Sequence, residues 1–241
     1  MYRNDLATLN VYKLGLLSYE SGCSVQTYFH KLVVREQSGP CLLLLEHQPV
    51  ITFGKSSDIG FLKSSKRTLE LSGIDLCVSD RGGQLTAHAP GQLLAYPIIP
   101  IRKFGLGVKA YVTLLEQAVI NLLRRWGVHS QRDEEFPGVW HEKSKICALG
   151  IRIKDRVSMH GLAINVNADL AIFSHIVPCG IVGRSVVNLE SLIQEKLDLS
   201  NVAEHLAREI GKLLNLKLNF DSCSTIPKNS FEQEQFVRRG G

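Results

Sequence analysis

Two residues between Gly138 and Ile181 carry groups that could react as a pair, Lys145 and Cys179. Cys179 stands between Pro178 and Gly180 in the run I-V-P-C-G-I. Proline fixes one backbone angle and glycine permits a positive one, so a tight turn displaying the thiol is expected. A thiol with a pKa near ~8.5 is little ionised at neutral pH and needs a neighbouring cation or base to become a good nucleophile. An ammonium about 4 Å away gains on the order of 4 kcal/mol with a thiolate at an effective dielectric of about 20. Half of that, at ~1.4 kcal/mol per pKa unit, brings the thiol to about neutrality. Lys145 is the candidate cation. His160 and His175 are the alternatives, because cysteine–histidine pairing is the commoner arrangement, and a small buried core residue is the plainer reading of Cys179 itself.

The elements that must position this pair follow from the flanking pattern. Lys145 opens K-I-C-A-L-G-I-R-I, where Ile146, Ala148 and Gly150 alternate with Cys147, Leu149 and Ile151. Both alternating sets are apolar, as in a strand buried on both faces, and an amine at its mouth is costly to leave unpaired. Further upstream, Arg81 to Gln92 reads R-G-G-Q-L-T-A-H-A-P-G-Q. Three glycines and a proline imply a loop whose backbone approaches something closely, with Arg81 and His88 pointing into that space. A glycine-rich hairpin with incidental charges is the alternative. It is neither a P-loop nor a dinucleotide fingerprint, since G-K-S/T and G-x-G-x-x-G are both missing.

The remaining chain reads as a frame of strands with a few helices. Strands are expected at Leu9 to Leu17, Cys41 to Leu45, Val50 to Phe53, Ile74 to Val78 and Leu93 to Ile101, and a loop with a short helix at Asp58 to Ser72. Helical spacing of Val25, Phe29, Leu32 and Val33 predicts a helix from Ser24, as N-cap, to Arg35. Gly107 to Gly127 predicts the longest helix, with Tyr111, Leu115, Ala118, Val119 and Leu122 inward, Glu116 off that stripe, and no chemistry. Ser200 caps a last helix through Leu214. Strands come in runs rather than in alternation with helices, which points to an α+β fold: a mixed sheet with helices packed on one side. Residues 1–220 are expected to form one domain and 221–241 a mobile polar tail.

Composition excludes several classes. A hydrophobic fraction of 44% over 241 residues supports a sizeable core. No apolar run is long enough to span a bilayer and no signal-peptide pattern opens the chain, so a cytoplasmic protein away from membranes is expected. Six scattered cysteines without a C-x-x-C pair read as free thiols. The net charge of +5 comes from small basic clusters, and with aromatics at 7% and no reading motif, nucleic acid is not the expected partner. A modest positive face would still steer an acidic protein partner.

Five segments together resemble the lipoyl(octanoyl) transferases: E-H-Q-P-V-I-T-F-G, R-G-G-Q-L-T-A-H-A-P-G-Q-L-L-A-Y-P-I, G-V-W with K-I-C-A-L-G-I-R-I, H-G-L-A-I-N-V-N, and I-V-P-C-G-I. The resemblance spans residues 10 to 215. It implies transfer of an octanoyl group from octanoyl-acyl carrier protein to a lysine of lipoyl domains, those of 2-oxoacid dehydrogenase E2 subunits and the glycine cleavage H protein. On the same basis Cys179 is the acyl-accepting nucleophile and Lys145 its activator. The substrate-binding residues are Arg81, Gly82, Gly83, Gln84, Leu85, Thr86, Ala87 and His88, then Ala148, Leu149 and Gly150, then Gly161, Leu162 and Ala163. The fold implied is that of lipoate and biotin protein ligases, with no cofactor, no ATP and no metal, in a monomer. The acyl chain is expected along Leu149, Leu162 and Ile164, with the oxyanion held by backbone N–H groups near Gly82 and Gly83 or at Gly180. Two departures stand out: Ala89 where the family usually has glycine, and Val187-Asn188-Leu189 in place of V-T-S-L. The rival readings are an ATP-dependent ligase, a cysteine hydrolase using a histidine base, and a binding module without catalysis.

Overall fold

The computed structural model describes residues 8–177 and 184–221. In chain order the strands are β1 (Thr8–Leu17), β2 (Cys41–His47), β3 (Val50–Phe53), β4 (Asp75–Val78), β5 (Leu85–His88), β6 (Gln92–Ile98), β7 (Gln131–Arg132), β8 (Gly138–His141), β9 (Ser144–Lys154), β10 (Val157–Asn165), β11 (Ser185–Val186) and β12 (Lys217–Asp221). The helices are α1 (Tyr19–Val34), α2 (Lys66–Leu71), α3 (Val108–Arg124), α4 (Leu189–Ile193) and α5 (Leu199–Leu214), with 3-10 turns at Ile59–Phe61, Ile101–Phe104 and Leu170–His175.

A run such as C-L-L-L-L in β2 leaves no face for water and must be covered on both sides. The large sheet does this, in the order β12-β1-β2-β6-β10-β9-β8-β7 with β11 also beside β9. Parallel pairs join β1 to β12 and to β2, whereas β2, β6, β10, β9 and β8 run antiparallel in succession. On one face Leu42, Leu44, Ala95 and Ile164 pack against Leu115, Ala118 and Leu122 of α3 and Val202, Leu206 and Ile210 of α5. On the other, Leu43, Leu45, Tyr96 and Ala163 meet Val25, Phe29 and Val33 of α1. The α+β class and the mixed sheet agree with expectation, but the layering differs. Helices cover both faces, because the second set of apolar strand residues needs α1.

A separate three-stranded sheet, β4-β3-β5, sits over a smaller core with Ile51, Leu69, Leu85, Ala87, Ile172 and Phe173. The sequence reading left Leu85 to His88 inside a loop. Antiparallel pairing with Val50 to Phe53 draws those four residues into a fully buried strand. Three boundaries also move, and one strand is new. Helix α1 begins six residues earlier than expected, capped by Ser18 rather than Ser24, with the Ser18 hydroxyl accepting from Ser21 N–H. The buried stripe there includes Gly22 and Gln26, which hydropathy does not flag. Asp198, not Ser200, caps α5. Strand β6 ends at Ile98, after which Pro100 leads into a 3-10 turn. Strand β12, which was not anticipated, pairs with β1 from Thr8 opposite Lys217 to Tyr12 opposite Asp221. Of the tail expected at 221–241, Asp221 closes β12 and residues 222–241 lie outside the described residues.

Candidate active site

A cavity of about 320 Å³ opens between β9, β10 and the loop before β5. Arg81, Gly82, Gly83, Gln84, Leu85, Thr86, His88, Lys145, Ala148, Leu149, Gly150, Gly161, Leu162 and Ala163 all line it. These residues come from three separate stretches of sequence, and the pairing of β9 with β10 brings two of them side by side, Gly150 opposite Gly161 and Leu149 opposite Leu162. Two expected residues are elsewhere. Ala87 packs with Ile51 and Leu69 in the smaller core, and Ile164 belongs to the main core under α3 and α5.

The glycine-rich loop is held by Arg81, which is buried and donates to Thr52 O (2.8 Å), Thr52 Oγ1 (2.9 Å), Gln84 O (2.8 Å) and Gly82 O (3.0 Å). A buried guanidinium satisfied by carbonyls fixes the loop's shape. Gly150 allows the loop to lie on β9: a Cβ there would come within 2.9 Å of Gly82 O. Gly82 N–H donates to Ile151 O of β9 at 3.0 Å, so of the oxyanion donors expected near Gly82 and Gly83 or at Gly180 this one is already engaged.

Lys145 is 6 % exposed. Its Nζ donates to Pro137 O at 3.2 Å and stands 4.6 Å from the centroid of the Trp140 ring. Its backbone carbonyl accepts Val187 N–H at 3.1 Å, so the unusual Val187-Asn188-Leu189 segment borders the lysine's own strand. The turn that delivers Pro137 is braced. Asp133 accepts from Phe136 N–H (3.0 Å) and pairs with Arg184, whose guanidinium lies 5.0 Å from Phe136 and 4.6 Å from Trp140. Gly138, at φ +143, closes the approach: a Cβ would meet Cys147 O at 2.7 Å and Lys145 Cε at 3.1 Å. Behind it, buried Glu116 of α3 accepts Gly138 N–H at 2.9 Å and has Arg132 at 3.5 Å. Burial pushes that carboxyl up, against the pull of the Gly138 N–H, Arg132 and Lys145. Helix α3 is therefore part of the site, contrary to the sequence reading, and its Val112 also lines the cavity.

The end of the cavity away from Lys145 is built of rings. Tyr19, His47, His88, Tyr96 and His160 form a chain of ring contacts with centroids 5.1 to 6.3 Å apart. His47 Nε2 bonds Tyr96 Oη (2.8 Å), His88 Nδ1 donates to Gln92 Oε1 (2.6 Å), and Gln92 Nε2 donates on to Asn165 Oδ1 (2.8 Å). Burial is the largest cause that lowers these imidazoles, to about 4 for His47 and His160 and about 3 for His88. Neutral His160 donates Nε2–H to Asp80 Oδ1 at 2.6 Å, while Arg152 pairs with the same carboxylate. It is thus engaged as a donor rather than poised as a base. His175 is not among the cavity residues, and Ser64 Oγ lies 2.7 Å from its Nδ1. Tyr19, Tyr96, Phe136 and Pro137 escaped the sequence reading. The signal for Tyr96 was its place in the run Q-L-L-A-Y-P-I that continues the glycine-rich segment.

Cys179 and Gly180 lie outside the described residues. Among the described ones, Cys147 is the cysteine next to Lys145 in sequence, and it is sealed in the main core with its thiol pushed up by burial, so it is no rival nucleophile.

The candidate site is thus a buried lysine at one end of a largely apolar slot, under a glycine-rich loop on a mixed sheet. Residues 18–211 match the lipoyl protein ligase A/B catalytic domain, and the chain belongs to that family. Within it, the chain is 40% identical to an octanoyltransferase of Caldicellulosiruptor saccharolyticus, over 89% of this chain and 92% of that one. Its fold is similar to that of the bipartite lipoate protein ligase from Thermoplasma acidophilum, at a TM-score of 0.75 and 17% identity, covering 96% and 93% of the two chains. A biotin protein ligase from Aquifex aeolicus shares it more distantly, at a TM-score of 0.54 and 13% identity over 86% and 70%.

Proposed function

We propose that this protein is an acyltransferase that moves an octanoyl group from octanoyl-acyl carrier protein to a lysine of a lipoyl domain. Cys179 carries the acyl group between the two and Lys145 handles the proton. The observation that supports this reading best is the burial of Lys145 at one end of a cavity whose remaining lining is largely apolar. Lys145 accepts the Cys179 proton, and the thiolate attacks the thioester carbonyl of the carrier's phosphopantetheine arm. The tetrahedral intermediate collapses by expelling the arm's thiolate, which takes the proton back from Lys145. In the second half the acceptor amine attacks the Cys179 thioester and loses its proton to Lys145. An amide forms and the cysteine thiol is restored. Each methylene removed from water along Leu149 and Leu162 contributes about 0.8 kcal/mol to holding the chain.

Lipoyl domains of 2-oxoacid dehydrogenase E2 subunits and the glycine cleavage H protein are the proposed acceptors, and the protein acts as a monomer. Cys23, Cys41, Cys77 and Cys147 are free thiols, which suits a reducing cytoplasm. Among the described residues no helix is long and apolar enough to cross a membrane. The fold shared with ligases supports one rival, an enzyme that activates a free acid with ATP. Intact mass after mixing with octanoyl-carrier protein separates the two. The wild type gains one octanoyl group and Cys179→Ala does not. No adduct on the wild type, together with pyrophosphate release from ATP and octanoate, would establish the rival instead.

A further inference from the structure

Beside the acyl cavity lies a second one, of about 580 Å³, whose lining includes Gln26, Ser79, Asp80 and Met159. The two cavities have Tyr19 and His160 in common and no other described residue. Lys145 borders only the first. His160 pairs with Ile151, six residues along β9 from Lys145. The shared residues therefore stand at the far end from the chemistry, where the last carbons of an acyl chain would arrive.

Both are tethered from the second cavity's side. Tyr19 Oη donates to Ser79 Oγ at 2.6 Å, and His160 Nε2–H donates to Asp80 Oδ1 at 2.6 Å. The His160 backbone N–H donates to Gln26 Oε1. Each tether is a residue that lines the second cavity. Pulled from behind in this way, the phenol and the imidazole stand as a partition between two spaces. His160 also holds φ at +55, a conformation that non-glycine residues rarely adopt within a strand. The backbone here is strained to present this ring, and glycine would relieve that strain.

Given the octanoyl-transfer reading, we propose that Tyr19 and His160 set the acyl chain length: they close the slot behind a medium-length chain, and the second cavity receives the tail of a longer one when either ring is removed.

The test compares wild type, Tyr19→Ala, His160→Gly and His160→Phe in transfer to a lipoyl domain from an equimolar mixture of octanoyl- and dodecanoyl-carrier protein. Products are read by mass. In parallel, binding of octanoic and dodecanoic acids is measured by calorimetry. His160→Gly keeps a compatible backbone, so it guards against a Tyr19→Ala variant that fails to fold. The expected result is a dodecanoyl-to-octanoyl ratio raised at least about tenfold in His160→Gly, in product and in affinity, because part of the four extra methylenes then leaves water against Cys23 and Met159 of the second cavity. Refilling the partition with His160→Phe returns the ratio toward wild type, which a merely structural role would not do. The proposal is overturned if folded His160→Gly keeps the wild-type ratio, or if the wild type accepts dodecanoyl as readily as octanoyl. Should no form transfer any acyl group, the octanoyl-transfer reading fails, and the fatty-acid affinities alone then decide for or against the partition.

Discussion

Lys145 is a case of a side chain whose neighbours are chosen to keep it in place. Carbonyl, ring face and a glycine with no room for a methyl surround its last carbons and nitrogen. Lys145→Ala is expected to lower octanoyl transfer by roughly 10²-fold or more, the range for losing a positioned proton carrier, with little change in melting temperature. An undiminished rate would remove Lys145 from the chemistry. Gly138→Ala acts differently: the new methyl must displace Cys147 O or the lysine stem, at about 1–3 kcal/mol of stability and with transfer reduced as well. Urea denaturation alongside the rate assay checks both. At this scale the sequence was informative where chemistry and backbone demands coincide. Lys145 and the Arg81 to His88 loop could be picked out because charge and glycine are conspicuous in apolar runs. Ala87 was grouped with its neighbours because the glycines and proline around it suggested a loop; as a strand, L-T-A-H alternates and puts Ala87 with Leu85 against the smaller core. His160 was legible as a titratable group but not as a donor committed to Asp80, since that contact joins residues 80 positions apart.

Helix α3 shows how an element read as inert scaffolding becomes part of a site. Its apolar stripe was legible from 3.6-residue spacing, and Tyr111, Leu115, Ala118, Val119 and Leu122 are all buried. Glu116 lies just off that stripe, and the same rule gives it no role. The structure instead seats it under the 136–138 turn, where its Oε1 takes a backbone N–H that would otherwise be stranded. Glu116→Ala is expected to cost about 1–3 kcal/mol, the penalty for an unsatisfied buried donor, and to slow transfer by loosening the turn that carries Pro137. Glu116→Gln keeps a carbonyl acceptor and should retain most of both. Equal melts for the two variants would show that the bond to Gly138 does not matter. Helix α1 was legible only in its second half, because its first turns bury Tyr19 and Gln26 toward the cavities and Gly22 against His47, which breaks the apolar pattern.

For the whole molecule, three buried neutral imidazoles make stability depend on pH. Unfolded histidine titrates near ~6.5, whereas His47 and His160 are held at about 4 and His88 at about 3. The unfolded chain therefore binds more protons as pH falls. The stabilisation is complete above ~6.5 and drains away as pH drops toward about 4, with a slope of up to about 1.4 kcal/mol per pH unit for each ring. Denaturation between about pH 7.5 and about pH 5 should show that decline, and His47→Asn should flatten it. A pH-independent midpoint would contradict the burial of these rings as neutral groups. The α+β class and most strands were legible from apolar runs, because strands covered on both faces carry that signature. What was not legible is the arrangement between distant segments: which face α1 takes, the small sheet, and β12. That last strand has a consequence for synthesis. It lies against β1, about two hundred positions earlier in the chain, and Asn219 bonds Asn10 across the seam. A polypeptide emerging from the ribosome can close β1 against β2 early, yet the opposite flank of β1 must wait unzipped until nearly all of these described residues are out. Translation pauses or truncations shortly before residue 217 should leave that flank exposed to pairing with other chains.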